Sequence, residues 1–206
     1  MKVVKLEQIL ENRKISQLSP TLLIAKELKL KYLLEERKQL IGPAVGLSII
    51  IDRLTRMPIN SILDLCCGTG ALAKIASKNG VRKIVCVDKN IKAVKKNVGK
   101  LKNIEIIKAD VMKFKIEEFF DLIVLDPPRE LLPKLFNKFE EFSMHSNIFV
   151  LWHGSCEEKE WNEEIREKLR EVFKVLYSFS VYGEEISACS STERGVKLLR
   201  KFYREW

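Results

Sequence analysis

Ile62-Leu63-Asp64-Leu65-Cys66-Cys67-Gly68-Thr69-Gly70-Ala71-Leu72-Ala73 decides how the rest of the chain is read. Its first residues form a short apolar run, the pattern of a parallel strand buried on both faces. The run breaks at Gly68 and Gly70 and resumes as small and apolar residues at helical spacing. Strand, glycine bend and helix start together make a nucleotide cradle. Glycines turn the backbone tightly and put no Cβ in a ligand's way, and the helix start offers N–H groups. Gly68-x-Gly70-x-x-Ala73 fits the dinucleotide fingerprint, which accepts Ala at its third small position. An acid follows at the expected distance, Asp88, at the end of Ile84-Val85-Cys86-Val87.

Asp64, inside the first strand and four residues before Gly68, favours a different ligand. A carboxylate there repels a pyrophosphate and complements a cation. Asp64-x-x-x-Gly68-x-Gly70 resembles the first motif of class I S-adenosylmethionine (SAM) methyltransferases. That motif often has a further glycine where this chain has Cys66. In that family the acidic strand residue lies near the methionine end of SAM, which carries an ammonium and a sulfonium. The resemblance implies a cofactor site made of Asp64, Cys66, Gly68, Gly70, Asp88, Lys89, Asp110 and Val111. Asp88 would accept the ribose hydroxyls, since ligands of an open parallel sheet sit beyond the carboxyl ends of its strands. Asp110 would accept from the adenine amino group, although an acid just past a strand also reads as a helix N-cap.

The chain has 206 residues, a length that suits one domain with a small appendage. With 46% hydrophobic and 32% charged residues it is globular in composition, not disordered. The formal net charge of +9 makes an anionic partner plausible, with a lysine-rich solvated surface as the plain alternative. Five cysteines without regular spacing do not make a disulfide framework, and no Cys/His array has zinc-ligand spacing. His145 and His153 are too few for a metal site. The N-terminus shows no signal-peptide pattern, and no apolar run reaches membrane-spanning length, so a reduced cytoplasmic compartment is expected.

From about Asn60 the pattern alternates. Strands are expected at 61–66, 83–88, 104–108, 121–126 and 147–152, with helices near 70–79, 90–101, 130–142 and 157–172. Such alternation predicts an α/β, Rossmann-like fold: a mostly parallel sheet with helices on both faces. The tail differs. Strands at 174–182 and 195–202 are expected around a polar stretch, Gly183 to Arg194, which predicts a C-terminal antiparallel hairpin. Methyltransferases of this class end their sheet in a similar way. Upstream, Ser19-Pro20 opens a helix expected to run to about Leu40, with Lys26, Lys29, Lys31, Arg37 and Lys38 on its polar side. A second helix is expected near Ala44 to Arg56. The expected division is therefore a helical extension, 1–59, and a SAM-binding domain, 60–206.

The second strong signal is Asp121-Leu122-Ile123-Val124-Leu125-Asp126-Pro127-Pro128-Arg129. The apolar run is a buried strand, and the proline pair fixes a stiff extended exit. Carbonyls beside proline are not drawn into a continuing helix, so they and Asp126 can face a substrate amine or ring. Asp126-Pro127-Pro128 resembles the fourth motif of methyltransferases that act on nucleobases. Amino-methylating members usually carry an aromatic after the prolines, where this chain has Arg129. Asp-Pro-Pro-Arg resembles instead the RNA uridine-C5 methyltransferases, which use a cysteine nucleophile after the fifth strand and a glutamate base near the last. The resemblance points to Cys156 and Glu193 for those roles. A thiolate would add to C6 and a base would take the C5 proton after methyl transfer. Glu157 and Glu158, next to Cys156, oppose a thiolate there, and a bystander thiol is the competing reading.

Lys78, Arg82, Lys83, Lys89, Lys92, Lys95, Lys96, Lys100, Lys102 and Lys108 crowd one segment. A second basic group, Arg194, Lys197, Arg200, Lys201 and Arg204, is interleaved with Phe202, Tyr203 and Trp206. Lysines and arginines of this kind contact phosphates without sequence choice, and aromatics can stack bases or simply pack in the core. The expectation is a methyltransferase using SAM on RNA, either tRNA or rRNA, with Asp126, Pro127, Pro128 and Cys156 at the reacting centre. The alternatives are a methyltransferase of a protein or small molecule, and a Rossmann-like protein that binds NAD or no cofactor. His153, just past a strand end, reads equally as a substrate contact or a polar loop residue.

Overall fold

The computed structural model describes residues 1–11, 18–36 and 39–206. It opens with β1 (Lys2–Lys5), α1 (Leu6–Leu10), α2 (Pro20–Glu27), β2 (Tyr32–Glu36) and β3 (Gln39–Ile41). The three strands form a small antiparallel sheet with β2 in the middle. The N-terminal segment is thus not purely helical. The helix expected to reach Leu40 stops at Glu27, and Arg37 and Lys38 lie outside the described residues. A C-terminal cap ends it: Leu30 N–H donates to Ala25 O at 2.9 Å and Lys29 N–H to Lys26 O at 2.9 Å. Lys29 holds the left-handed position, φ 51°. That position usually belongs to glycine, so the stop signal is missing from the sequence.

Next come α3 (Val45–Leu54), β4 (Ser61–Leu65), α4 (Ala71–Lys78), β5 (Lys83–Asp88), α5 (Lys92–Val98) and β6 (Ile104–Lys108). β7 (Phe120–Leu125) leads through a 3₁₀ segment, Arg129–Lys138, to α6 (Phe139–Met144), β8 (Ser146–Ser155) and α7 (Lys159–Val172). The chain ends with β9 (Val175–Val181), β10 (Glu184–Ser190) and α8 (Glu193–Glu205).

Seven strands form the main sheet in the order β6-β5-β4-β7-β8-β10-β9. β10 is antiparallel to both neighbours, and the pairs among β4 to β8 are parallel. The expected α/β architecture with helices on both faces is what the chain adopts. One core holds Leu47, Ile50, Ile51 and Leu54 of α3 with Leu72, Ile75, Val94, Leu199 and Phe202 of α4, α5 and α8. A second holds Phe139, Phe142, Ile165 and Leu169 of α6 and α7, and a third, smaller one lies in the N-terminal segment around Leu22 and Leu33.

The C-terminal hairpin exists, but its second strand is 184–190, inside the stretch expected to be loop. β10 is buried along almost its whole length yet carries Glu185, Ser187 and Ser190. A buried strand built from such residues lacks the apolar run that marks one. Residues 195–202, expected as a strand, belong to α8. Thr192 caps it, its Oγ1 accepting Gly195 N–H at 3.0 Å, and Leu199, Phe202 and Trp206 follow at helical spacing.

Candidate functional site

Chain order in the sheet reverses between β4 and β7, since β5 and β6 lie to one side of β4 and β7 and β8 to the other. In open α/β sheets a ligand crevice forms beyond the carboxyl ends of the strands at such a reversal. Both motifs read from the sequence arrive there. The Asp126 N–H donates to Leu65 O at 3.3 Å, which ties the exit of β7 to that of β4.

Asp64 is fully buried, and neither carboxylate oxygen has a hydrogen-bond partner. Burial pushes its carboxyl well above the usual range, and the charges of Asp126 and Asp88 push it the same way. A buried polar group without a partner costs free energy, so this pair of oxygens points to an absent cationic or hydrogen-bonding ligand. Beyond β4 the backbone enters the left-handed region three times: Cys66 at φ 61°, Gly68 at 51° and Gly70 at 75°. The two glycines differ in role. A Cβ on Gly70 would stand 2.8 Å from Val94 Cγ2, so this glycine lets α4 pack against α5. A Cβ on Gly68 would find only Cys66 O, 3.9 Å away, and would otherwise project into open space. That space is where a ligand would run past the bend. Burial, followed by the charge of Asp88, pushes the Cys66 thiol far above its ordinary value, so it is a protonated wall of the bend.

The Asp88 carboxylate holds the bend in shape. Its Oδ2 accepts Gly68 N–H at 2.9 Å and its Oδ1 accepts Asn90 N–H at 2.8 Å. Each oxygen keeps a lone pair for a hydroxyl. Lys89 reaches across to Asp110, Nζ to Oδ2 at 3.0 Å, while Asp110 Oδ1 accepts Met112 N–H at 3.0 Å. The Lys89 partner, then the Met112 N–H, hold the Asp110 carboxyl below the usual range. Asp110 also shapes the turn after β6, the capping role that its position allowed. Val111 is buried beneath that turn. Sequence reasoning missed Asn97 of α5. Its Oδ1 accepts Lys31 and Tyr32 N–H at 2.8 and 3.0 Å, and its Nδ2 donates to Tyr32 O and Thr69 O at 2.8 and 2.9 Å. One side chain thereby bolts the N-terminal sheet to the glycine bend.

Asp126 opens the loop after β7, with Pro127 buried and Pro128 exposed. Burial, then the charge of Glu184, pushes its carboxyl from the usual 3.8 up to about 7. Glu184, also missed, starts β10 and caps α3: its carboxylate accepts the N–H groups of Val45, Gly46 and Leu47 at 2.7, 3.0 and 3.2 Å. Its side chain thereby satisfies three N–H groups that the helix itself leaves without partners. The one sequence signal for it is Gly183, a hairpin-turn residue after a long strand. Arg129 pairs with Glu158 and lies 5.1 Å over the Trp161 ring, which joins the loops after β7 and β8.

Cys156 lies in the turn after β8, half-buried, and its N–H donates to Gly183 O at 2.9 Å. Glu193 is elsewhere. β10 runs antiparallel, so its end pairs with the start of β8, Cys189 opposite Phe149, and Glu193 follows at the amino edge of the sheet. The base that the uridine-C5 resemblance suggested is therefore on the far edge from Cys156. His153 is no loop residue. It is fully buried at a bulge where β8 and β10 slip register, and burial, then Arg166, lowers its imidazole to about 3, so it stays neutral. The C-terminal aromatics lie against β9 although Tyr203 and Trp206 stay partly exposed, with Tyr203 stacked on Tyr177 at 4.5 Å and Trp206 edge-on to Phe179 at 5.2 Å. Lys197, Arg200, Lys201 and Arg204 are left along one outer face. Among the described residues no group of His, Cys, Asp and Glu could hold a metal ion, and no helix is long and apolar enough to cross a membrane.

Comparison with known proteins fits this geometry. Residues 44–138 match the family model "Methyltransferase small domain", from the start of α3 to the end of the 3₁₀ segment. The ribosomal protein L11 methyltransferases of Thermotoga petrophila and Thermotoga maritima are each 27% identical over 133 residues, 58% of this chain. The chain spans about half the length of these curated relatives, 50% of each. Among solved structures, the Pyrococcus horikoshii protein PH1948, assigned as an RNA methyltransferase, superposes with a TM-score of 0.60 at 18% identity. That match covers 84% of this chain and 97% of the other. Spermidine synthase of Thermotoga maritima superposes as well, TM-score 0.61 at 14% identity, covering 82% of this chain and 68% of the other. At such identities the superpositions show the fold alone. The matched family model thus spans the glycine bend and the reversal of strand order, and the superpositions give the chain a Rossmann-like, methyltransferase-type fold.

Proposed function

We propose that the protein is a SAM-dependent methyltransferase that modifies a nucleobase in tRNA or rRNA. The observation that carries the reading is the Asp126 carboxyl, unpaired among the described residues, followed by two prolines at the reversal of strand order beside the glycine bend. Asp64, Cys66, Gly68 and Gly70 would hold the methionine end of SAM, Asp88 the ribose, and Lys89, Asp110 and Val111 the adenine. The unpartnered Asp64 oxygens and the open space beside Gly68 fit that ligand. Bound there, SAM supplies an activated methyl on its sulfonium, so much of the rate comes from positioning the acceptor. Asp126, poised near neutrality, accepts a proton or hydrogen bond from a base amine, and the Pro127 and Pro128 backbone fixes its direction. Lys31 and Tyr32, from the extension 1–59, meet the bend through Asn97, beside the SAM-binding unit 60–206. We place the enzyme in the cytoplasm.

The Asp-Pro-Pro-Arg motif leaves a uridine-C5 route with Cys156 as nucleophile, although its expected base, Glu193, stands at the other edge. Full activity in Cys156→Ala removes that route. A second reading, methylation of a ribosomal protein, is favoured by the names of the Thermotoga relatives. Labelled methyl transfer from SAM to total RNA and to ribosomal proteins, followed by nucleoside and amino-acid analysis, decides between them. Label in a modified nucleoside is expected, and label confined to protein overturns the RNA reading.

A further inference from the structure

The turn between β9 and β10 has two residues, Tyr182 and Gly183, both with positive φ, 52° and 79°. Two-residue hairpins favour this turn, with Asn, Asp or Gly at its first position. A bulky aromatic there is strained. Tyr182 also gains nothing by burial, since it is 74% exposed. A residue that is both strained and exposed is not explained by folding.

Its place in the molecule supplies a reason. β10 starts at the carboxyl edge of the sheet, so the turn lies on the same edge as the crevice, two strands from β7. Gly183 O accepts the Cys156 N–H at 2.9 Å, and Glu184 caps α3 through three N–H groups and bears on the Asp126 carboxyl. The turn is thus pinned to both walls of the acceptor side. Among the described residues three other aromatic side chains are well exposed: Phe119, Tyr203 and Trp206. Phe119 precedes β7 at the opposite edge, and Tyr203 and Trp206 pack against β9, the first stacked and the second edge-on. Arg129, after the two prolines, is occupied by Glu158 and Trp161.

We infer that Tyr182 is the stacking platform for a base of the RNA substrate, closing the acceptor pocket from the hairpin side. The inference rests on the nucleobase reading above. Its ring, on a rigid turn, faces a base without losing flexible rotamers, and base-aromatic stacking is tolerant of sequence.

The test compares Tyr182→Asn, Tyr182→Leu and Tyr182→Phe in labelled methyl transfer from SAM to total RNA. Asn suits the left-handed position, so Tyr182→Asn is expected to melt no lower than the wild type. Its KM for RNA should nevertheless rise by about tenfold to a hundredfold, as for loss of one stacked base. Tyr182→Leu should show the same rise, and Tyr182→Phe should restore KM because it keeps the ring. The thermal shift with SAM should be equal in all four proteins, because the turn is not part of the cofactor site. A KM for RNA unchanged in Tyr182→Asn and Tyr182→Leu overturns the inference while leaving the methyltransferase intact. A wild type that labels protein and no RNA overturns both.

Discussion

β7 carries an aspartate at each end, and the protein treats them oppositely. At the amino edge, Asp121 Oδ2 accepts Asn60 N–H at 2.8 Å, and its Oδ1 takes Asn147 Nδ2–H at 3.1 Å and pairs with Arg194 at 3.2 Å. That carboxylate staples β4, β8 and α8 to the base of the sheet. At the carboxyl edge, five residues on, Asp126 has no such partner among the described residues and is pushed up to about 7. Asp64, one strand away, is buried and unpaired as well. The same side chain is thus satisfied where it holds the fold and left unsatisfied where a ligand is to meet it. Unpaired carboxylates shielded from water, half at Asp126 and fully at Asp64, lower stability, and their place at one edge supports the ligand site proposed above.

The strongest way to break the contrast is to remove each acid in turn. Asp126→Asn should lower methyl transfer to the natural substrate by about a hundredfold or more, the usual contribution of a positioned proton acceptor. Its melting temperature should be equal to or above that of the wild type. Asp121→Ala should do the reverse, costing about 2–3 kcal/mol because the Asn60 N–H and Asn147 amide lose a buried acceptor. Activity per folded molecule should be kept. Urea unfolding beside single-turnover assays reads both, and equal losses of activity in the two variants would erase the division between the edges.

The difference should also depend on pH. The Asp126 carboxyl sits near 3.8 in the unfolded chain and is raised to about 7 in the folded one. Between those values the folded protein holds a proton that the unfolded chain has released. Stability from this group is therefore complete below about pH 4 and is lost as pH rises through 7. Asn cannot ionise, so the stability gained by Asp126→Asn should be larger at pH 8 than at pH 5. About 1–2 kcal/mol is expected once partial solvent contact is discounted. A gain that shrinks with rising pH contradicts the raised carboxyl. A cation bound between Asp64 and Asp126 would draw both carboxyls down. SAM binding is accordingly expected to release protons near neutrality, a quantity read by calorimetry in buffers of different ionisation enthalpy.

The contrast also explains what could be read beforehand. The parallel sheet was legible because β4, β5, β7 and β8 are nearly continuous apolar runs, and Asp64 interrupts one of them while Asp88 and Asp126 end two others. The hairpin strand 184–190 was not legible, because serine, alanine and glutamate inside a buried strand resemble a loop. Missing that strand hid Glu184, and with it the reason that the Asp126 carboxyl rises. The end of α2 was hidden because Lys29 stands where glycine would have announced a stop. Asn97 was invisible for another reason: its four partners are backbone groups far away in sequence, and no spacing rule reaches them.

The smallest expected effect concerns the bend itself. Cys66 holds φ 61° with a side chain, where a glycine would relax. A left-handed L-residue costs about 1–2 kcal/mol, and a glycine costs about 0.5–1 kcal/mol in the entropy of the unfolded chain. Cys66→Gly should therefore stabilise the protein by no more than about 1.5 kcal/mol, with the SAM thermal shift unchanged, because backbone shape and not the thiol serves the cofactor. Gly68→Ala is the informative partner. Its φ of 51° is equally left-handed, so it suffers the same strain, but its new methyl enters the open space beside the bend. It should abolish the SAM shift while destabilising only modestly. Were Cys66→Gly to weaken SAM binding as much as Gly68→Ala does, the thiol itself would be a cofactor contact, and the strain at position 66 would have a chemical purpose.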